Sequence, residues 1–324
     1  MRDALASLAH EIRKSQAALR EKARAAREAD TSLVMKTTKT KPLSLSVCAV
    51  DGGLFAHRLH GHDVVATRAV GVNFVYKDSA LASFAYHPSK SPEPEIEIRS
   101  ALDEHEANVF RSLIRLKSEL GCALATIERY PSSLLLMDGS LWTVPSDRPA
   151  QDSPLAPLYR ELVDLYKRLY SSCERNRTQL CGVVKDSRSR KLASSLGLDC
   201  SDTVLCSHLL DAGERTSVFP YFDDKQKEPE GFWERLKVFY IKPSEHDLPL
   251  RIEFLQPSTK EADENTLASL ILSLSSISQN FAYPAILVEA DMRAAMDPKE
   301  IERIQDSLRS LDIAPLRRNA RPFR

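Results

Sequence analysis

Glycine is scarce in this chain, 10 residues in 324. That counts against folds that cradle a nucleotide on glycine-rich loops, and the absence of any GxxxxGK[ST] stretch argues against a P-loop NTPase. Net charge is missing too: 45 Lys plus Arg balance 45 Asp plus Glu. Any basic surface must therefore come from local clusters. Two candidates are "SRSRK", with Arg188, Arg190 and Lys191, and the tail "RRNARPFR" from Arg317 to Arg324. Each alone reads as a solvated face. The six cysteines include no CxxC pair, and Cys48 and Cys181 lie in apolar runs. Buried thiols in a reducing compartment are the expectation, rather than disulfides or zinc. No apolar run is long enough to span a bilayer, and "MRDALASLAHEIRKSQ" scatters charge where a signal peptide would be apolar. The expected protein is soluble and cytoplasmic, with no membrane contact. No internal repeat or long low-complexity tract is present.

Periodicity supplies the rest of the outline. Residues 3–29 predict a charged helix with Leu5, Leu8, Ile12 and Leu19 near one face. "KTTKTKP" (36–42) reads as a linker, dividing residues 1–40 from a domain over 41–324. The apolar run "SLSVCAV" leads into Asp51, and "DVVATRAVGVNFVY" (63–76) and "ALASFAYH" (80–87) predict two further strands able to pair with it. "SPEPEI" (91–96) reads as a loop, 100–129 as a helix, and "SLLLMD" as a strand ending on Asp138. A helix over 153–176, a strand over 179–186, a strand pair over 236–243 and 249–255, and helices over 264–279 and 283–296 complete the outline. This order predicts an α/β protein with a mixed sheet and helices packed on it, not a strict βαβ alternation.

The feature with chemical content is a repeated event. "SVCAVDGGLF" and "LLLMDGSLW" each drive an apolar strand to a carboxylate followed by glycine, which predicts strand ends at Asp51 and Asp138. A carboxylate at the end of a buried strand is costly unless something offsets it, and a hard divalent cation would. Phosphodiester cleavage commonly uses two such ions roughly 3.5–4 Å apart, held by carboxylates from several elements. Helix 100–129 offers Glu104, Glu106 and Glu119, and the late helix offers Asp291. Taken singly, each is a turn residue or a solvated acid. A strand, an Asp and glycines also open the actin-like ATPases. The glycine scarcity and the step straight into Leu141 and Trp142 argue against that class.

Six segments in order resemble the NurA family of nucleases: "AVDGGL", "LLLMDGSL", "GVVKDSRSRKLA", "SDTVLCSHLLDAGERT", "PLRIEF" and "YPAILVEADMRAAM", spanning about residues 44–296. The resemblance implies an RNase H-like mixed central sheet flanked by helices, here with an N-terminal helix. It also implies Mn²⁺- or Mg²⁺-dependent cleavage of DNA, single-stranded or at duplex ends. A homodimer docked on a HerA-type hexameric ATPase translocase, acting in end resection at double-strand breaks, completes the expectation. Position by position, Asp51 and Asp138 match the strand carboxylates. "RSLIRLKSELGCAL" resembles the helix with Arg and Glu four apart, which selects Glu119, beside Arg115, over Glu106. Tyr283 matches the late tyrosine, and with the four acids makes up the expected catalytic set. Where the family usually carries histidine this chain has Asp291, a ligand type better suited to Mg²⁺ and Mn²⁺. A weakly active or inactive DNA-tethering member is the alternative that this departure motivates.

Lys185 and Arg188 follow a strand and are candidate phosphate donors. Arg215 in "GERT" either contacts DNA or pairs with an acid of the sheet. Phe74, Tyr76, Phe84 and Tyr86 are expected mainly to pack in the core, with base stacking as the alternative. His57, His60 and His62 fall where a hairpin should turn and read as exposed loop residues.

Overall fold

Uninterrupted helical periodicity gives α1 (Arg2–Ala29), followed by a short β1 (Val34–Lys36). β-Branched and apolar residues then build two long strands, β2 (Leu45–Leu59) and β3 (His62–Lys77), and two shorter ones, β4 (Ala80–His87) and β5 (Glu95–Ser100). Next come α2 (Glu104–Arg129), β6 (Leu134–Asp138), α3 (Ala156–Arg175), β7 (Gln179–Val184), α4 (Lys191–Ser195) and α5 (Asp202–Leu209). The chain continues with β8 (Glu214–Thr216), β9 (Phe219–Pro220), β10 (Leu236–Lys242), β11 (Leu250–Leu255), α6 (Glu264–Leu274), α7 (Ala285–Ala294) and α8 (Pro298–Arg309). This computed structural model describes residues 2–39, 44–100, 102–223, 230–258 and 263–310. The tail "RRNARPFR" and the end of "KTTKTKP" lie outside the described residues.

The fold is mixed α/β, a large mixed sheet flanked by helices. It divides into two compact units that do not follow chain order. The first comprises Met1–Pro42, Gly182–Lys227 and Trp233–Ala285. There the strands run β1-β8-β10-β11 and on to the end of β7, with β9 on β10. α1 packs on α5, and Ala23 and Leu33 share a core with Leu205, Leu209 and Tyr240. The second unit comprises Leu43–Cys181, Glu228–Phe232 and Ile286–Arg324. Its strands run from the start of β7 through β6-β2-β3-β4, with β5 on β3. β2 and β6 are parallel, while β2, β3, β4 and β5 pair antiparallel. Helices α2 and α3 pack on each other, and α2 lies against β2 and β3. Leu59, Val64 and Ala66 meet Ile304 and Leu308 of α8 in a separate small core.

Three expectations are corrected. The strand that reaches Asp51 does not stop there. β2 runs on to Leu59, with Gly52 opposite Ala69 and Gly53 opposite Arg68 in unbroken register. By contrast Gly139, at φ +124°, does break the chain after Asp138. The aromatic residues of β3 and β4 are not core. β4 is an edge strand, and Phe84 is 60% exposed. Phe74, Tyr76 and Tyr86 are half-buried, and the rings pack edge to face in the pairs Phe74–Tyr76 and Phe84–Tyr86. Part of the proline-rich "SPEPEI" joins β5, whose Glu95 pairs with Thr67. The β2–β3 turn falls at His60 and Gly61, which leaves His60 as an exposed turn residue as expected, whereas His57 and His62 lie within the strands and are half-buried.

Candidate metal centre

Parallel pairing puts Val50 of β2 opposite Met137 of β6. The residues that follow, Asp51 and Asp138, thus stand on neighbouring strands, close enough for the charge of Asp138 to act on the Asp51 carboxyl. Asp51 is 7% exposed, in mid-strand between Val50 and Gly52 and opposite Val70. Asp138 closes β6, half-buried, with the Gly139 turn behind it.

The third acid comes from α2, which crosses this sheet. Glu119 is buried, and its side chain lies over Gly52: a Cβ at that glycine would come within 2.6 Å of Glu119 Cγ and Oε1. Glycine is needed there for close approach rather than for a turn. One helical turn earlier, Arg115 Nη1 donates to Glu119 Oε1 at 2.8 Å, an i,i+4 pair that aims the carboxylate. Glu106, the alternative acid, serves elsewhere. It is the N3 residue of the α2 capping box, accepting from Asp103 N–H at 3.2 Å while Asp103 accepts from its own N–H at 2.8 Å.

Asp291 arrives on α7, exposed. The helix is pressed against β2 so closely that a Cβ on Gly53 would lie 2.0 Å from the carbonyl oxygen of Ala294. Arg68, paired across the strand from Gly53, anchors that end of the helix. Its guanidinium donates to Ala295 O at 3.3 Å and to Glu300 at 2.6 and 3.3 Å. Tyr86 donates to Glu289 of the same helix at 2.7 Å. Neither Arg68 nor Tyr86 stands out in the sequence as a supporter of Asp291. Arg68 is a charge within a continuously buried stretch of β3.

The electrostatics tie the four acids together. Burial pushes the Asp51 carboxyl up to about 8, and the negative charges of Asp138, Glu119 and Asp291 add to the rise. Burial likewise pushes Glu119 up to about 7, with Arg115 opposing and Asp138 adding. Among the described residues no group of three or more His, Cys, Asp or Glu side chains is gathered closely enough to hold a metal ion as it stands. What the site presents is a set of hard oxygen donors whose mutual repulsion a divalent cation would offset, which fits Mn²⁺ or Mg²⁺ by donor type and charge.

The remaining candidates lie in the other unit. Lys185 and Arg188 are exposed just beyond β7. Tyr283 is 3% exposed; its hydroxyl donates to Val183 O at 3.2 Å and its ring lies 4.3 Å beneath the Lys185 ammonium. Arg215 is fully buried, donating to Thr216 O at 2.9 Å and Asn265 Oδ1 at 2.6 Å. A guanidinium so placed braces β8 against α6 and presents no donor to a ligand at the surface.

Family and fold together define a class, a nuclease of mixed α/β architecture with a large mixed sheet flanked by helices. The chain belongs to the NurA domain family, whose model matches residues 45–296. Among solved structures it is similar to the NurA nuclease from Sulfolobus solfataricus, with a TM-score of 0.64 and 16% identity over 95% of each chain. It is also similar to NurA bound to dAMP and manganese, with a TM-score of 0.56 and 11% identity over 96% of this chain and 97% of that one. A third match is NurA with manganese, at a TM-score of 0.53 and 12% identity over 93% and 98%. At these identities the likeness is one of fold. No curated protein sequence matches. Among the described residues no helix is long and apolar enough to cross a membrane.

Proposed function

We propose that this chain is a divalent-metal-dependent DNA nuclease in which Asp51, Glu119, Asp138 and Asp291 hold the ions. The observation that carries the reading is the gathering of these four acids, from two strands and two helices, in a chain of the NurA family. Bound Mn²⁺ or Mg²⁺ supplies an activated water and charge stabilisation for the departing oxygen. The chain's own part is to fix geometry. Arg115 holds Glu119 in place, the sheet holds Asp51, and the Gly139 turn lets the chain leave Asp138 without covering it. Aspartate at position 291 keeps an oxygen ligand where relatives usually carry imidazole, which supports an active site over a tethering-only role. Lys185 and Arg188 are read as donors to DNA phosphates.

The family resemblance further supports cleavage of single-stranded DNA and duplex ends. It also supports homodimer formation and action beside a HerA-type hexameric translocase in cytoplasmic double-strand-break repair, including resection with 5′ to 3′ polarity. The direct test is degradation of labelled single- and double-stranded DNA with Mn²⁺, Mg²⁺ or EDTA, with and without such a translocase. Cleavage that requires the ion and stops with EDTA is expected. DNA binding without cleavage under every ion, alone or with the translocase, would sink the reading.

Tyr283 is read as a positioning residue. With its hydroxyl given to a backbone carbonyl and its ring under an ammonium, its contribution comes from the ring. Tyr283→Phe should keep kcat/KM within about threefold of wild type, whereas Tyr283→Leu should lose about tenfold, the worth of a partly buried cation–π contact. If the phenylalanine variant falls as far as the leucine one, the hydroxyl is the working group.

A further inference from the structure

A second feature of the unit that carries the acids is a cleft of about 540 Å³ lined by Arg148, Gln151, Tyr159, Arg160, Val163 and Asp164. Its position relative to the acid cluster is set by short, rigid links. The chain leaving Asp138 is pinned by Leu141 and Trp142, both buried. Tyr170 donates to the carbonyl of Leu141, and Trp142 packs on Tyr166 at 5.0 Å between ring centres. Thr143, also buried, is 3.2 Å from the Tyr159 hydroxyl, which fixes the ring that lines the cleft. Asp147, the residue before Arg148, accepts a hydrogen bond from Ser112 and acts on Arg115, the partner of Glu119. Arg148, at one end of the cleft, thus follows directly on a residue tied to the helix turn that aims a candidate metal ligand.

The cleft offers two exposed guanidiniums, an amide and a tyrosine face along an open groove. Guanidiniums suit backbone phosphates, and an aromatic face stacks on any base. Asp164, one turn along α3 from Arg160, is a single acid against two cations. We infer that this cleft is a binding groove for a DNA single strand, taking phosphates on Arg148 and Arg160 and a base on Tyr159, and leading that strand to the acid cluster. This rests on the reading of the chain as a DNA nuclease. A groove of this kind takes the strand a few nucleotides from the bond that is cut. It should therefore govern how tightly DNA is held and leave the chemistry on a minimal phosphodiester alone.

The test uses the full chain with Arg148→Glu and Arg160→Glu, singly and together, and with Tyr159→Leu. Fluorescence anisotropy of a labelled single-stranded oligonucleotide across a salt series gives affinity and salt slope. Mn²⁺-dependent hydrolysis of bis(p-nitrophenyl) phosphate gives the chemistry without a DNA strand. For the double variant the expected results are roughly tenfold weaker DNA binding at 0.1 M salt and a salt slope shallower by about 1.4, the value for two lost single-strand phosphate contacts. Hydrolysis of the small diester should stay at the wild-type rate. Arg160→Gln, a change on an exposed helical position, repeats the binding measurement should the reversals unfold the protein. Unchanged DNA affinity and salt slope in folded variants overturns the groove. Failure of the wild type to cleave the small diester or DNA counts against the nuclease reading instead, and the binding arm still decides the groove.

Discussion

Asp51→Asn is expected to abolish DNA cleavage and, without added metal, to raise the melting temperature. The first effect follows from loss of a mid-strand ligand; a drop of at least about 100-fold in kcat is expected when the ion's charge stabilisation goes. The second follows from the direction of the Asp51 shift. Its carboxyl, near 3.9 in an unfolded chain, is pushed to about 8 in the fold by burial and the three neighbouring acids. A group whose pKa rises on folding binds its proton more tightly in the native state. Its stabilising contribution is complete below the unfolded value and is lost as pH climbs through the folded one. Metal-free wild type should lose stability between about pH 4 and pH 8, with Glu119, pushed up to about 7, acting in the same direction. Asparagine carries no charge to bury, so the variant should be more stable by on the order of 1–3 kcal/mol at pH 8 and by little at pH 4. Melting curves in EDTA at the two pH values read this directly. Added Mn²⁺ should then raise the wild type more than the variant, since ligand binding stabilises only the state that binds it. Equal melting temperatures at pH 8 together with normal cleavage would remove Asp51 from the site.

The paired glycines should separate function from stability. Gly52→Ala sets a methyl 2.6 Å from Glu119 Cγ and Oε1, a clash that a rotation of this one side chain off its Arg115 pairing relieves at less cost than a backbone shift. Cleavage should fall by tenfold or more, on the scale of a misplaced ligand, while the melting temperature changes little. Gly53→Ala sets its methyl 2.0 Å from a backbone carbonyl at the end of α7. No side-chain rotation relieves that, so the helix must move. A loss of about 1–3 kcal/mol is expected, the range for overpacking a close contact, together with reduced activity because Asp291 travels with α7. Matched denaturation and cleavage measurements on the two variants test the contrast. Equal destabilisation by both would mean that Glu119 is as immovable as the backbone.

The elements that carry the proposed site were legible because their signals are local. Apolar runs ending in Asp and the Arg115–Glu119 spacing are readable within a few residues. Gly139 behaves as its dipeptide predicts. The continuation of β2 was not legible. Asp-Gly-Gly has the composition of a turn, and what keeps it a strand is pairing with Ala69 and Arg68 plus the need to admit Glu119 and Ala294. Those are long-range contacts. The same applies to Arg215, whose burial depends on Asn265, fifty residues away. Phe84 looked like core because its composition is apolar, but its strand is the last in the order, with neighbours on one side alone. The short elements β1, β8, α4 and α5 lack the length for periodicity to register.

That β2 passes through the site has a consequence for how the protein breathes. Asp51 sits inside a ladder that extends eight residues beyond it, so exposing its backbone means opening the hairpin itself, among the costliest fluctuations available. Asp291 rides on a ten-residue helix held at its far end by Arg68 and at its side by Tyr86, and helices so short open at lower cost. The two halves of the cluster should differ accordingly in amide exchange, with β2 protected for long times and α7 exchanging early. An ion or strand entering the site would then meet one wall that does not yield and one that adjusts.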